Sequence, residues 1–265
     1  MSRNKLRADH LLAEQGLAES REKAKRMIMA GEVFCQLEAR DPEQVKKPGQ
    51  PLPPETRLTV RQRQRFVSRG GDKLESAIAY FGLRIEGETC LDVGASTGGF
   101  TDCLLQHGAH RIYATDVGKG LLAHSLRHDP RVTVLEGINF RHAAQDLLPE
   151  KVDTAVADCS FISLRRILPS ILVFLASGGR VLALVKPQFE LSRSQVDKGV
   201  VRSQELQQEA VSGLSRHAGE ELGLECLGSV PSGVKGPKGN QEYFLLLRSP
   251  QVMPKPPNCP PTSDL

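Results

Sequence analysis

The chain has no tryptophan, only three tyrosines and nine phenylalanines in 265 residues. That leaves little aromatic surface, so recognition that depends on stacking successive bases of a single strand is disfavoured. Cys35, Cys90, Cys103, Cys159, Cys226 and Cys259 include no C-x-x-C pair and no zinc-type spacing, so no metal is expected. Four of them lie in or beside apolar runs, as suits reduced thiols in a cytoplasmic protein. No basic-then-apolar N-terminal layout marks a secretory leader. The longest apolar window, 167–185, is broken by Pro169, Gly178, Gly179 and Arg180 and cannot supply the roughly 20 apolar residues of a membrane span. There is no internal repeat.

A hydrophobic content of 39% supports a real core, enough for one large domain or a medium domain with a small companion. The net charge of +4 is unevenly spread. Residues 1–65 hold 14 Lys/Arg against 9 Asp/Glu, an excess of +5, and the remaining 200 residues come to −1. A basic, polyanion-binding module is therefore expected ahead of a nearly neutral domain.

Two helical patterns occupy residues 5–30. Leu6, His10, Leu11 and Leu12 begin the first, which Gly16 stops; Ser20 fits the N-cap of the second, with Ala24, Met27 and Ile28 on one face and Gly31 as terminator. Short strands are expected at 32–35 and 58–60, with the prolines between 42 and 54 excluding regular structure there. From Lys73 onward, strands near 89–93, 111–115, 132–136, 153–157, 180–185, 224–230 and 242–247 alternate with helices near 72–81, 99–107, 119–127, 164–176 and 204–221. That alternation predicts a parallel α/β sheet covered on both faces. The last strand follows with no room for a helix and is expected to insert antiparallel. Residues 250–265 are proline-rich and bury little.

Within that frame, Leu91-Asp92-Val93-Gly94-Ala95-Ser96-Thr97-Gly98-Gly99-Phe100 breaks a strand into a glycine-rich turn and then a helix. Such a turn places backbone N–H groups around a small ligand, and Asp116, 24 residues beyond Asp92, stands where doubly wound domains keep an acid for ribose hydroxyls. The pattern D-x-G-x-S-x-G-G lacks the second glycine that lets a backbone approach a pyrophosphate. Asp92 would repel that group and suits a cation. S-adenosylmethionine, with a sulfonium, an ammonium and a ribose, fits better than a dinucleotide.

Charges also stand at strand ends. Asp158 ends the apolar run Thr154-Ala155-Val156-Ala157, Lys186 ends Val181-Leu182-Ala183-Leu184-Val185, Lys73 opens the helix before the first sheet strand, and Glu242 starts the last strand. Any one alone reads as a solvated surface charge, except Lys186, which costs strand propensity and solvation where it stands. Together they suit methyl transfer to a hydroxyl, which must approach the methyl in line and lose its proton. A free lysine is a neutral base in well under roughly one molecule in a thousand at pH 7. Lys186 is therefore expected to serve as base or activator with Lys73 as its electrostatic neighbour, while Asp158 and Glu242 orient the two ammonium groups and the cofactor.

The order Lys73, Asp158, Lys186, Glu242 around the Asp92–Phe100 turn resembles the K-D-K-E tetrad of FtsJ-like RNA 2′-O-methyltransferases. Val67-Ser68-Arg69-Gly70-Gly71-Asp72-Lys73-Leu74, Asp116-Val117-Gly118 and Leu184-Val185-Lys186-Pro187-Gln188-Phe189-Glu190 are similar, more narrowly, to the TlyA, or hemolysin A-like, family. Gly16-Leu17-Ala18-Glu19-Ser20-Arg21 with Ala24, Ile28, Gly31 and Val33 resembles the small RNA-binding module of the ribosomal protein S-four type. Val33-Phe34-Cys35-Gln36 departs from that module's usual Val-Asn-Gly-like ending, and Cys159 stands where Leu is commoner.

The resemblance implies an α/β protein with a Rossmann-like S-adenosylmethionine-dependent methyltransferase fold, its seven-stranded sheet mixed, preceded by a small α+β RNA-binding domain. Taken with the basic run from Arg61 to Arg65 and the proline-rich end, the expected boundaries are 1–60 for that domain, 61–68 for a basic linker, 69–249 for the methyltransferase domain and 250–265 for a disordered tail. The resemblance further implies 2′-O-methylation of ribose, on cytidine, in ribosomal RNA or ribosomal subunits. Cofactor contacts are expected from Asp92, Gly94, Ala95, Ser96, Thr97, Gly98, Gly99, Phe100, Asp116, Val117 and Asp158. Salt-sensitive RNA contacts are expected from Arg7, Ser20, Arg21, Lys23, Lys25, Arg26, Arg61, Arg63 and Arg65, most of them facing phosphates.

Three rival readings remain at the level of sequence. A cytolysin would need a membrane-active segment or a secretion signal, and neither is seen. A non-catalytic RNA-binding or ribosome-assembly protein would tolerate loss of tetrad residues, yet all four are present. A dinucleotide oxidoreductase is disfavoured by the turn.

Overall fold

The computed structural model describes residues 5–36, 41–60 and 65–251, and the chain divides into two compact units, 1–64 and 65–265. In the front unit, helices Ala8–Glu14 and Arg21–Met29 pack on strands Val33–Gln36 and Arg57–Val60. The Ser20 hydroxyl accepts from the Lys23 amide at 3.2 Å, satisfying an otherwise orphaned donor of the helix start. Ala24, Ile28, Leu12 and Val33 are fully or nearly fully buried in a small separate core. The proline-rich stretch is less irregular than expected. Glu43–Gln44 pairs with Val33–Gln36, and Pro51–Leu52 pairs with Leu6–Arg7, because a two-residue edge pairing tolerates a missing proline N–H.

In the large unit, strands β1 (Thr89–Val93), β2 (Arg111–Asp116), β3 (Val132–Glu136), β4 (Val152–Ala157), β5 (Leu175–Val185), β6 (Glu225–Pro231) and β7 (Tyr243–Arg248) form one sheet. Their spatial order is β6-β7-β5-β4-β1-β2-β3. Strand β7 runs antiparallel between β5 and β6, and the pairs among β1–β5 are parallel. Helices α1 (Arg69–Phe81), α2 (Gly99–Gln106), α3 (His124–Arg127), α4 (Leu168–Phe174), α5 (Pro187–Glu190) and α6 (Gln204–Glu220) connect them. Strand order reverses between β1 and β4, and a ligand crevice belongs at the carboxyl ends of those two strands.

Several boundaries differ from expectation for identifiable reasons. Helix α1 starts at Arg69 because Ser68 caps it, its hydroxyl accepting from the Gly70 amide at 3.3 Å; Lys73 therefore lies one turn inside the helix rather than opening it. The helix expected at 119–127 is a single turn, since Gly120 takes a left-handed φ of 71°. The one expected at 164–176 splits into a 3₁₀ turn at Leu164–Arg166 and α4, with Pro169 in the first turn of α4. Residues 65–68 belong to the large unit rather than to a linker. Phe66 is 2% exposed, and the Val67 amide donates to Asp102 Oδ2 at 2.8 Å.

The sheet buries both faces, and the period of two along each strand sorts the residues between them. Val156, Leu182, Leu184, Phe244 and Leu246 pack with Leu74, Ala77 and Ile78 of α1. Ala155, Ala157, Val181, Val185 and Leu245 pack on the opposite side against α4 and α6. Continued past the strand ends, the same alternation carries Asp158, Lys186 and Glu242 onto the face that α1 covers.

Candidate functional site

At the strand-order reversal the chain forms a cavity of about 660 Å³. The expected tetrad lines it together with Gly94, Ala95, Ser96, Thr97, Gly99 and Phe100. A second cavity of about 440 Å³ shares Gly94, Ser96, Asp158 and Phe161 with the first and is walled by Asp116, Val117, Leu121, Ile138 and Phe140.

Two close ion pairs organise the tetrad. Lys73 Nζ lies 2.6 Å from Glu242 Oε2, and Lys186 Nζ lies 2.5 Å from Asp158 Oδ1. Lys186 also donates to the Ser160 hydroxyl at 2.8 Å. Lys73, Lys186 and Glu242 are buried, so each ammonium needs the carboxylate beside it. Asp158 and Glu242 were expected to orient the two ammonium groups, with no assignment of acid to lysine; the tertiary structure pairs Lys186 with Asp158 and Lys73 with Glu242. Glu242 Oε1 is buried without a hydrogen-bond partner among the described residues. Gly236 is the residue whose missing Cβ makes room for that carboxylate.

The turn is built for close approach. Gly94 has φ 86°, and a Cβ there would stand 2.6 Å from the backbone oxygen of Asp158. Asp116 accepts from the Ser96 amide at 2.8 Å and from the Gly118 amide at 2.7 Å, which fixes its carboxylate at the rim of the second cavity.

Two expected cofactor residues line neither cavity. Gly98 packs on Leu122 and Leu126 as the N-cap of α2. Asp92 is fully buried beneath the turn, where Thr101 donates to its Oδ2 at 2.6 Å and its Oδ1 has no partner among the described residues. Its parity on β1 turns it under α2 instead of toward the opening. Burial, only partly offset by the Thr101 hydrogen bond, pushes the Asp92 carboxyl up to about 7.

One surface feature was missed by sequence reasoning. Phe161 is 90% exposed with a left-handed φ of 66°, beside Phe189 at 5.4 Å between ring centroids, and both line the main cavity. A phenylalanine between Ser160 and Ile162 reads in sequence as one more apolar residue. Cys159, next to it, has its thiol pushed up to about 12 by burial, so it stays protonated and unreactive.

The basic positions sort into two groups. Asp9, fully buried, takes Arg7 at 2.9 Å and Arg21 at 3.3 Å. Burial pushes its carboxyl up, but the hydrogen bonds from the two arginines outweigh this and hold it below its usual range. These two guanidiniums thus have structural work inside the module, contrary to a purely RNA-facing role. Lys25 pairs with Glu22 at 2.6 Å, whereas Lys23 and Arg26 are exposed beside Leu17 and Met27 on a shallow groove. Arg65 pairs with Glu75 at 2.8 Å and lies over the Phe66 ring; Arg61 and Arg63 fall outside the described residues. Glu75, Cys103 and His107 could together hold a metal ion. His107 Nε2 and Glu75 Oε2 already meet at 2.6 Å, and Arg65 takes the other oxygen, so these groups satisfy one another without one.

A sheet in this order, with an antiparallel strand beside β5 and its cavity at the strand-order reversal, defines the class as a Rossmann-like methyltransferase. The family model of the FtsJ-like methyltransferases matches residues 66–249. The chain belongs to that family. It is 44% identical over 253 residues to the Bacillus subtilis protein YqxC, which is named for rRNA methylation, covering 94% of this chain and 88% of that one. The 16S/23S rRNA (cytidine-2′-O)-methyltransferase TlyA of Mycobacterium tuberculosis is 43% identical over 246 residues, covering 92% and 90%. A solved Streptococcus thermophilus structure that bears a hemolysin name superposes with TM-score 0.70 at 41% identity, covering 95% of this chain and 91% of that one. Among the described residues, no helix is long and apolar enough to cross a membrane.

Proposed function

We propose that this methyltransferase uses S-adenosylmethionine to methylate the 2′-hydroxyl of a cytidine ribose in ribosomal RNA. The observation that carries the reading is the pairing of Lys186 with Asp158 and of Lys73 with Glu242 around one cavity; the names of the relatives supply cytidine and rRNA.

The cofactor fits the residues present. The turn with Gly94 offers close backbone approach, Asp116 stands fixed for ribose hydroxyls, and the apolar wall of Val117, Leu121, Ile138 and Phe140 suits an adenine ring. The described residues that wall the second cavity include no lysine or arginine to meet a pyrophosphate. When bound, the cofactor supplies an electrophilic methyl carbon that leaves a neutral thioether. The chain must place a hydroxyl in line with that carbon and take its proton. An ammonium has three N–H donors. Lys186 donates one to the Ser160 hydroxyl and lies in ion-pair contact with Asp158 Oδ1, which takes no directed hydrogen bond among the described residues, so donor capacity remains for the incoming oxygen. The proton of that oxygen ends on the Asp158 carboxylate, Lys186 passing one of its own protons to Asp158 as it takes the hydroxyl's. Lys186 thus stays an ammonium, and its charge stabilises the negative charge developing on the oxygen. Glu242 holds Lys73 as a second cation beside the site. Phe161 offers a face on which an unstacked base can rest, and Lys23 and Arg26 of the front unit offer phosphate contacts.

Tritiated methyl transfer to naked RNA, isolated subunits and assembled ribosomes, followed by mapping of the labelled nucleotide, tests the reading. Label is expected on a ribose 2′-oxygen. Lys186→Ala is expected to lower the rate by about 10²–10⁴-fold while cofactor binding persists. Absence of label on all three substrates would overturn the assignment, and a full-rate Lys186→Ala protein would overturn the mechanism.

A further inference from the structure

The segment 158–163 carries three groups that the site needs: Asp158 and Ser160 on Lys186, and the exposed Phe161 ring. Phe161 sits at a left-handed φ of 66°, a conformation in which a β-carbon crowds the backbone and which is therefore strained for a non-glycine residue. A segment without regular structure and with that local strain needs something to hold it. At its start, the Asp158 amide donates to the Val93 carbonyl at 3.0 Å. At its end stands one carboxylate, that of Glu190.

Glu190 closes α5, the short helix that follows Lys186. Its Oε2 accepts from the Ser163 hydroxyl at 2.7 Å, and its Oε1 accepts from the Leu164 amide at 2.8 Å. Ser163 Oγ in turn accepts from the Arg165 amide at 3.2 Å, so the contact extends to the cap of the following 3₁₀ turn. One residue earlier, Phe189 meets Phe161. Within the stretch from Lys186 to Glu190, Lys186, Phe189 and Glu190 thus reach Asp158, Ser160, Phe161 and Ser163 of the loop and Leu164 just beyond it. Neither Glu190 oxygen lines the main cavity, so this acid is outside the reaction itself.

We propose that Glu190 is a positioning residue, a staple that holds the 158–163 loop in the conformation presenting Phe161 to the target base and Asp158 to Lys186. This deepens the RNA methyl-transfer reading and rests on it. Without the carboxylate, the Ser163 hydroxyl and Leu164 amide have no acceptor, and the loop relaxes away from the left-handed conformation. The reacting hydroxyl is then poorly placed although the cofactor site, built from β1, β2 and the turn, is intact. Burial raises the Glu190 carboxyl, with the Ser163 and Leu164 hydrogen bonds opposing it, in keeping with an acid enclosed at a contact.

The test uses the full chain with Glu190→Ala and Glu190→Gln. Glu190→Ala is expected to lower kcat/KM for RNA by on the order of 10²-fold, the scale of a misplaced reacting group, with cofactor Kd within about 2-fold. Glu190→Gln keeps an acceptor for Leu164 and a polar partner for Ser163, and is expected to recover most of the rate. A second readout does not depend on activity. The chain has no tryptophan, so Phe161→Trp installs a single reporter whose fluorescence anisotropy follows the loop; adding Glu190→Ala should lower it. Unchanged anisotropy, or a folded Glu190→Ala protein with unchanged kcat and KM for RNA, would overturn the proposal. Loss of cofactor binding in step with RNA activity would also overturn it, since the role would then be general stability. If the wild type methylates no RNA, the broader reading fails, and the anisotropy comparison still decides the staple.

Discussion

Asp92 shows how burial changes a residue's meaning. Its carboxyl has a folded value of about 7 against an ordinary 3.8, chiefly because burial penalises the charged form. Between those values the folded chain holds a proton that the unfolded chain has released, so stability falls as pH rises through the window from about 4 to 7. Urea denaturation at pH 5 and 7.5 should show the wild type losing on the order of a few kcal/mol relative to Asp92→Asn. Parallel profiles for the two proteins would exclude this role for Asp92. The acid was legible in the sequence as a negative group near the turn. That it lies beneath the turn, on Thr101, was not, because its direction depends on which face of β1 the helix α2 covers.

At the scale of elements, site precision comes from backbones that approach closely. The connection between β6 and β7 passes over Glu242, and Gly236 is where side-chain bulk is excluded. Gly236→Ala is expected to displace the carboxylate from Lys73 at a cost of about 1–3 kcal/mol and to depress methyl transfer. Gly233→Ala is the control, since its added Cβ meets only Ser76 at ordinary contact distance, 3.6 Å, and is expected within about 0.5 kcal/mol of wild type. Thermal denaturation and methyl transfer check both; equal effects would discount the close approach. Most strands were readable from apolar runs ended by charges. The helices at 119–127 and 164–176 were not, because Gly120 and Pro169 act through local geometry that a helical apolar pattern hides.

At the scale of the whole molecule, a basic unit precedes a nearly neutral methyltransferase unit, and the charge excess of the first divides between structural and free groups. Lys23→Ala with Arg26→Ala should weaken RNA binding about equally across sequences. It should also reduce the slope of log K against log salt by roughly 0.7–0.9 for each phosphate that is no longer neutralised. Arg21→Ala should instead destabilise the front unit, because Asp9 is fully buried against Arg7 and Arg21. Filter binding at several salt concentrations, beside thermal denaturation, separates the two; an unchanged slope in the double variant would remove this helix from the RNA interface. The sequence by itself determined the alternation of strands and helices, the glycine turn, the four charged residues and the basic front, since each is written in local pattern or composition. Only the tertiary structure decided which lysine meets which acid, that Asp92 is enclosed, and that Phe161 stands exposed. Those outcomes depend on strand order and on the face each strand turns to α1, which bring together residues as far apart in the chain as Lys73 and Glu242.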